Sequence, residues 1–286
     1  MTTAIIGLGL IGGSFALDLR RLNLCGEVIG VDLDEDNAQR AMVLGIVDRY
    51  TSLANAVQQA DLVVLAIPVN YLPDVLNQVL NLADNNQLVI DMGSTKSNVC
   101  KRVKDHPNRK NFVACHPIAG TENSGPDAAF SGLYTGKVNI ICDRDLSAED
   151  QVKKTLQLFD ALEMKTIFMS SNEHDKHIAY VSHLSHISSF ALGKTVLELE
   201  ENEKNIFNMA GSGFESTVRL AKSSPDMWAP IFEQNAENLS EALGAYIDIL
   251  SQFKQMIDQR ETADMHRFIG EVNDIKRVLN GIKLNN

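Results

Sequence analysis

The chain has 286 residues, 44% of them hydrophobic and 22% charged, a composition that suits two ordinary globular domains. Its formal net charge of -11 argues against nucleic acid or an anionic membrane as the main partner. No apolar run is long enough to span a bilayer, and the N-terminus lacks the basic start of a signal peptide. The four cysteines (Cys25, Cys100, Cys115, Cys142) are scattered and form no C-x-x-C pair, so free thiols in a reducing, cytoplasmic setting are expected.

The first half alternates short apolar runs with helical patterns. "TAIIG" precedes a helix from about Ile11 to Arg21, and "EVIGV" a helix through Asn37 to Leu44. "DLVVLAI" and a helix from Leu72 to Leu82 follow, then "QLVIDM", "FVACH", "KVNIIC" and "KTIFM". Strands apolar on both faces, with helices between them, predict a doubly wound parallel α/β sheet.

"IIGLGLIGGS" sets Gly7, Gly9 and Gly12 in G-x-G-x-x-G spacing between the first strand and the first helix. The first glycine makes the tight turn, the second lets the backbone approach a pyrophosphate, and the third allows close helix-to-strand packing. Asp32 ends the second strand, where an acid accepts from ribose hydroxyls. It would repel a 2'-phosphate, and "VDLDEDN" has no compensating arginine, so the expected cofactor is NAD rather than NADP. The cofactor-binding set is Gly7, Leu8, Gly9, Leu10, Ile11, Gly12 and Asp32, with Ile67 and Pro68 past the third apolar strand and Ser94 and Thr95 past the fourth. All of these fall at the C-terminal edge of the sheet, on the crevice of a Rossmann-type fold.

After about Met169 only helices are predicted: Asn172 to Leu199, Phe214 to Lys222, Trp228 to Ile257 and Ala263 to Leu284, with "LNN" frayed at the end. This places a domain boundary between a dinucleotide-binding domain, 1–169, and an all-helical domain, 170–286. The stretch 178–193, "IAYVSHLSHISSFALG", has no charged residue and predicts a helix buried on every side. Packing against a second copy would provide that burial, so a homodimer is expected.

His116 ends a strand at the crevice edge, where a base must stand to reach a hydroxyl while a nicotinamide takes the hydride. Its neighbour Cys115 points to the opposite face, which excludes a Cys-His pair. Ser94 and Thr95 could serve a substrate or His116, or could cap the helix starting near Lys96. His174, His177, His183 and His186 suggest a metal cluster, but at 100° per residue His174 and His183 stand on opposite sides of a continuous helix. His183 and His186 share a side, as substrate groups or as core histidines bonded to a hydroxyl. Arg219, in "GSGFESTVRLAKSSPDMW", is either a surface charge or a bidentate carboxylate partner.

Together these motifs resemble the prephenate/arogenate dehydrogenase family of tyrosine biosynthesis, from "GLGLIGGS" through "DMGSTKS", "HPIAGTENSG" and "HLSHISSFAL" to "GSGFESTVRLAKSSPDMW". The resemblance implies a Rossmann domain followed by a helical dimerisation domain like the C-terminal domain of 6-phosphogluconate dehydrogenase. It implies oxidative decarboxylation of prephenate to 4-hydroxyphenylpyruvate with NAD and no metal. His116 matches the catalytic histidine that accepts the substrate's ring hydroxyl, and Ser94 the serine supporting it. Arg219 matches the clamp on a substrate carboxylate, and His183 and His186 histidines around the substrate. Glu122 matches an acid at the mouth of the site, and Trp228 an aromatic near it, from either subunit.

Ser216 departs from the family pattern by replacing an acid, which leaves Glu215 or Glu122 to hold the arginine. The chain shows neither a chorismate mutase segment nor an ACT regulatory domain, so tyrosine feedback would act at the active site. Ser224, shortly after Arg219, lacks the charge that an arogenate ammonium would favour and leans towards prephenate. The rival readings are an arogenate dehydrogenase, a β-hydroxyacid dehydrogenase or imine reductase, and a non-enzymatic NAD-binding regulator.

Overall fold

Eight short segments pair into one sheet: Thr2–Ile6 (β1), Glu27–Val31 (β2), Arg49–Tyr50 (β3), Leu62–Leu65 (β4), Leu88–Asp91 (β5), Phe112–Pro117 (β6), Val138–Cys142 (β7) and Lys165–Met169 (β8). In this computed structural model, which describes residues 1–84, 86–200 and 206–277, the strand order is β3-β2-β1-β4-β5-β6-β7-β8. The first six strands run parallel in the order of a dinucleotide-binding sheet, with the topological switch between β1 and β4.

Strand alternation sorts the core into two layers. Ile5, Val28, Val64 and Ile90 face Leu10–Arg21 (α1), Glu35–Val43 (α2) and a later helix, Glu149–Ala161. Ala4, Ile29, Val63, Leu65 and Val89 face Leu53–Gln59 (α3), Leu72–Leu82 (α4) and Ser97–Arg102 (α5). The Glu149–Ala161 helix is α6. Residues buried on both faces of the sheet explain why these strands read as unbroken apolar runs.

The structure departs from the expected all-parallel sheet at one pair. β7 runs antiparallel to β6, with His116 opposite Ile140. The connection between them is a loop with only a 3₁₀ turn at Pro126–Ala128, and it lacks the helix that usually carries a parallel return across a sheet face. β7 and β8, joined through α6, are parallel. The short β3 also went unpredicted, since two residues carry no periodicity.

The later helices are Ser171–Ile178 (α7), Leu184–Glu200 (α8), Ser212–Val218 (α9), Pro225–Gln234 (α10), Ala236–Asp258 (α11) and Thr262–Val272 (α12). The helix expected from Asn172 to Leu199 is interrupted by a π turn over Ala179–His183. The one expected from Trp228 to Ile257 breaks at Asn235, whose backbone leaves helical geometry (φ -117, ψ 27). Its side chain is buried and donates to the Asp175 carbonyl at 2.7 Å, an anchor that a straight helix would not supply. The last expected helix gives way to a 3₁₀ turn at Asn273–Ile275; from residue 278 on, its remainder and the "LNN" tail lie outside the described residues.

The chain forms two compact units, Met1–Asn238 and Leu239–Asn286. In the second, α11 and α12 meet through Phe253 and Phe268, with ring centroids 5.3 Å apart. The uncharged stretch 178–193 is not buried on every side within one chain: Tyr180, Val181 and Leu192 are exposed, Val181 at 74%. The lack of charge reports an apolar surface, which one chain does not itself cover. Among the described residues, no helix is long and apolar enough to cross a membrane.

Candidate active site

The glycine loop shows three different demands. Gly7 has φ +94, and a Cβ there would lie 2.4 Å from the Ala66 carbonyl oxygen. At Gly12 a Cβ would lie 2.1 Å from the Gly7 carbonyl oxygen, so close packing of α1 on β1 requires glycine. At Gly9 a Cβ would meet nothing nearer than the Gly125 nitrogen at 4.0 Å. Since the protein itself leaves that space open, the cradle fits a bound group whose phosphates approach the start of α1. Asp32 stands directly after β2, where its carboxylate accepts from the Leu8 amide at 2.8 Å and from the Asp34 amide at 3.0 Å. Leu8 and Leu10 are buried, Ile11 is half-buried, and Ile67 and Pro68 follow β4 beside Gly7.

His116 sits where β5 and β6 part. Their main-chain pairing ends at Ile90 opposite Val113. Beyond it, side chains replace the ladder: the Cys115 amide donates to Asp91 Oδ1 at 3.1 Å, and Lys96 Nζ donates to the Cys115 carbonyl at 2.8 Å. Lys96 Nζ also pairs with Asp91 Oδ2, and both side chains are fully buried. Burial works against the Lys96 charge, but the Asp91 carboxylate outweighs it and holds the ammonium above its ordinary range. Cys115 faces the core layer of α1 and α6, as strand alternation requires.

Behind His116 lies a contact that the sequence did not suggest. His116 Nδ1 is 2.7 Å from His174 Nε2, and His174 Nδ1 is 2.7 Å from Asp175 Oδ1. Asp175 also accepts from the amides of Lys96 and Ser97, each at 2.8 Å. It thereby caps α5, the alternative task expected of Ser94 or Thr95. Ser94 is half-buried and Thr95 buried at the same sheet edge. The opposed placing of His174 and His183 assumed a continuous α-helix; the π turn between them, bonded i→i+5, changes that phase. Among the described residues, no group of three or more ligating side chains could hold a metal ion.

His183 is fully buried, and its Nδ1 lies 3.2 Å from Asn235 Nδ2. Its ring meets Trp228 edge-on at 5.9 Å, and Trp228 stacks on His186 at 3.5 Å. Trp228 therefore joins the histidines of its own chain. Burial, then Asp175 and His174 in opposite senses, leave His183 titrating at about 4. Burial pushes His116 well below its ordinary value, with His174, Lys96 and His183 adding to the effect. His186 is lowered by burial despite a bond to the Ser182 carbonyl, and the Arg219 charge lowers it further. Arg219 is 57% exposed with Glu122 3.9 Å away, so Glu122 stands nearest where Ser216 offers no acid. His183, half-buried His186 and Trp228 thus form one ring cluster, with His116 near enough to His183, and Arg219 near enough to His186, for their charges to be felt.

Comparison with known proteins places both halves. "Prephenate dehydrogenase, nucleotide-binding domain" matches residues 15–168, and "Prephenate dehydrogenase, dimerization domain" matches 170–271. The chain belongs to the prephenate dehydrogenase family. Prephenate dehydrogenase of Bacillus subtilis is 28% identical over 278 residues, 96% of this chain and 75% of its own. The prephenate dehydrogenase of A. aeolicus, solved with hydroxyphenyl propionate and NAD+, is 31% identical, with a TM-score of 0.89 over 97% of each chain. Synechocystis arogenate dehydrogenase is 25% identical, with a TM-score of 0.78 over 98% of this chain and 100% of its own. The two family models begin just past the glycine loop and cover the His116 strand and the later helices. The family relation excludes neither of the two substrates.

Proposed function

We propose that this protein is an NAD-dependent prephenate dehydrogenase that converts prephenate to 4-hydroxyphenylpyruvate and carbon dioxide. The observation that carries the reading is His116, a buried imidazole held neutral at the edge where the dinucleotide crevice opens. Bound NAD supplies the hydride acceptor. His116 accepts the hydrogen bond of the substrate's ring hydroxyl, with Ser94 beside it. Arg219 clamps a substrate carboxylate, Glu122 orients Arg219, and His183, His186 and Trp228 wall the ring. Gly7, Leu8, Gly9, Leu10, Ile11, Gly12, Asp32, Ile67, Pro68, Ser94 and Thr95 form the cofactor crevice. As the carboxylate leaves, its bonding electrons enter the ring, and aromaticity supplies much of the driving force.

Asp32 supports NAD over NADP, because the Leu8 and Asp34 amides fix its negative charge at the end of β2. Arg40 in α2 is engaged with Asp127 at 2.9 Å rather than standing free for a 2'-phosphate. Ser224, a neutral N-cap of α10, supports prephenate over arogenate. Arogenate remains the second reading, carried by the similarity to the Synechocystis enzyme. The functional boundary is proposed at 169/170. The exposed apolar residues of α8 and the neighbouring π turn support a homodimer, and the free buried thiols support a cytoplasmic setting. Initial rates with prephenate and with arogenate, each with NAD and NADP, test the assignment. Prephenate with NAD should be fastest, with one carbon dioxide released per NADH formed. A clear arogenate preference overturns the substrate, and no turnover with either overturns the enzyme reading.

A further inference from the structure

The contacts behind His116 determine where its proton sits. Asp175 is buried, and its two oxygens accept the Lys96 and Ser97 amides and face His174 Nδ1. A carboxylate only accepts, so His174 Nδ1 carries a hydrogen. The other nitrogen of a neutral His174, Nε2, is then a bare acceptor, and it lies 2.7 Å from His116 Nδ1. One of two contacting ring nitrogens must donate, so the hydrogen between the rings belongs to His116 Nδ1.

We propose that His174 and Asp175 are positioning residues that hold His116 as the Nδ1–H tautomer, leaving Nε2 as the bare acceptor for the substrate's hydroxyl. This rests on the reaction proposed above. In that reaction the hydroxyl proton moves towards Nε2 while hydride leaves the same carbon for the bound nicotinamide. The bond to the ring carboxylate breaks, carbon dioxide departs, and its electron pair enters the ring. The proton returns to the phenolic oxygen, so no net proton is released. The opposite tautomer would present N–H to a hydroxyl that has to be an acceptor's partner, and no such transfer could begin.

The charges facing the pair fit this arrangement. The Asp175 carboxylate lies at the far end, where it stabilises positive character on either ring. Lys96 is balanced by Asp91 on the β5 side, and His183 approaches from the π turn as a neutral ring. Burial and the Lys96 charge lower His174, which the Asp175 bond only partly offsets, consistent with a neutral ring at pH 7. Burial would raise Asp175, but the bonds from His174, Ser97 and Lys96 outweigh it and hold the carboxylate ionised.

The test is ¹⁵N NMR of the histidine rings in the full-length wild-type protein near pH 7.5, with His116→Asn and His174→Phe used for assignment. Protonated Nδ1 and bare Nε2 on His116 are expected. Asp175→Asn should move the hydrogen to Nε2 and lower kcat by roughly 10²-fold or more, with KM values changed less than about threefold. A wild-type His116 protonated at Nε2 overturns the proposal, as does an Asp175→Asn enzyme with unchanged tautomer and kcat. The ring measurement needs no substrate, so it decides the relay even if prephenate turnover fails. Turnover that depends on His116 while its tautomer is the wrong one would leave the function standing and remove the relay.

Discussion

His116 and Arg219 occupy opposite environments, and each predicts a different kinetic signature. His116 is buried and lowered well below its ordinary pKa, so it remains an unprotonated base far into the acid range. The acid limb of kcat/KM should therefore lie well below pH 6.5, and an inflection at or above that value would contradict the assignment. His116→Asn should lower kcat by roughly 10²–10⁴-fold with little change in KM, the usual scale for a general base. Arg219, more than half exposed, has Glu122 only at 3.9 Å and is free to turn to a ligand. Arg219→Ala should raise the KM for prephenate about 10- to 150-fold, the worth of a hydrogen bond to a charged group, and leave kcat nearly unchanged. The reverse pattern in steady-state rates would sink this division of labour. At this scale His116 was legible because a histidine closing an apolar strand is conspicuous. His174 and Asp175 were not, although they lie on a readable stripe. Ser171, His174, Asp175, Ile178 and Ala179 fall at i, i+3, i+4, i+7 and i+8 and are all buried. Polar residues on a core-facing stripe were the available signal.

At the level of elements, the glycine loop separates folding from binding. Gly12→Ala should destabilise the protein, because its Cβ would press on the Gly7 carbonyl at the end of β1. Gly9→Ala meets no protein atom closer than 4.0 Å, so its melting temperature should match the wild type while NAD affinity falls. Thermal melts with and without NAD distinguish the two variants; equal loss of stability would refute the distinction. The brace between β5 and β6 carries a second expectation. Lys96→Met leaves Asp91 charged and buried without its partner, which should cost about 3–5 kcal/mol in urea unfolding. A change below about 1 kcal/mol would mean that Asp91 finds another partner or water. Helix ends and strand pairing were harder to read than the elements themselves. The antiparallel β7, the π turn and the break at Asn235 all depend on partners distant in sequence, which local periodicity does not contain.

For the molecule as a whole, buried histidines make stability depend on pH. Unfolded histidines titrate near 6.5 and then bind protons that His116, His174 and His183 resist in the folded chain. Their contribution is fully present above pH 6.5 and is lost as pH falls through the lowered folded values, about 4 for His183. His183 alone accounts for at most about 3.4 kcal/mol over that interval, about 2.5 pH units at 1.36 kcal/mol each. The unfolding free energy should therefore decline between pH 6.5 and 4.5, more steeply in the wild type than in His183→Gln. Equal slopes would remove His183 from the account. By itself, the sequence determined the alternating strands and helices, the glycine loop, the acid after β2 and the position of His116, because each follows from short-range pattern and backbone sterics. The tertiary structure alone decided that Asp175 caps α5, that Lys96 is buried against Asp91, and that His174 stands behind His116. Lys96 and Asp91 are near neighbours in sequence, but the contacts of Asp175 and His174 join residues 58 to 79 positions apart, and only the packing of α7 against the sheet edge brings their charges and lone pairs into register.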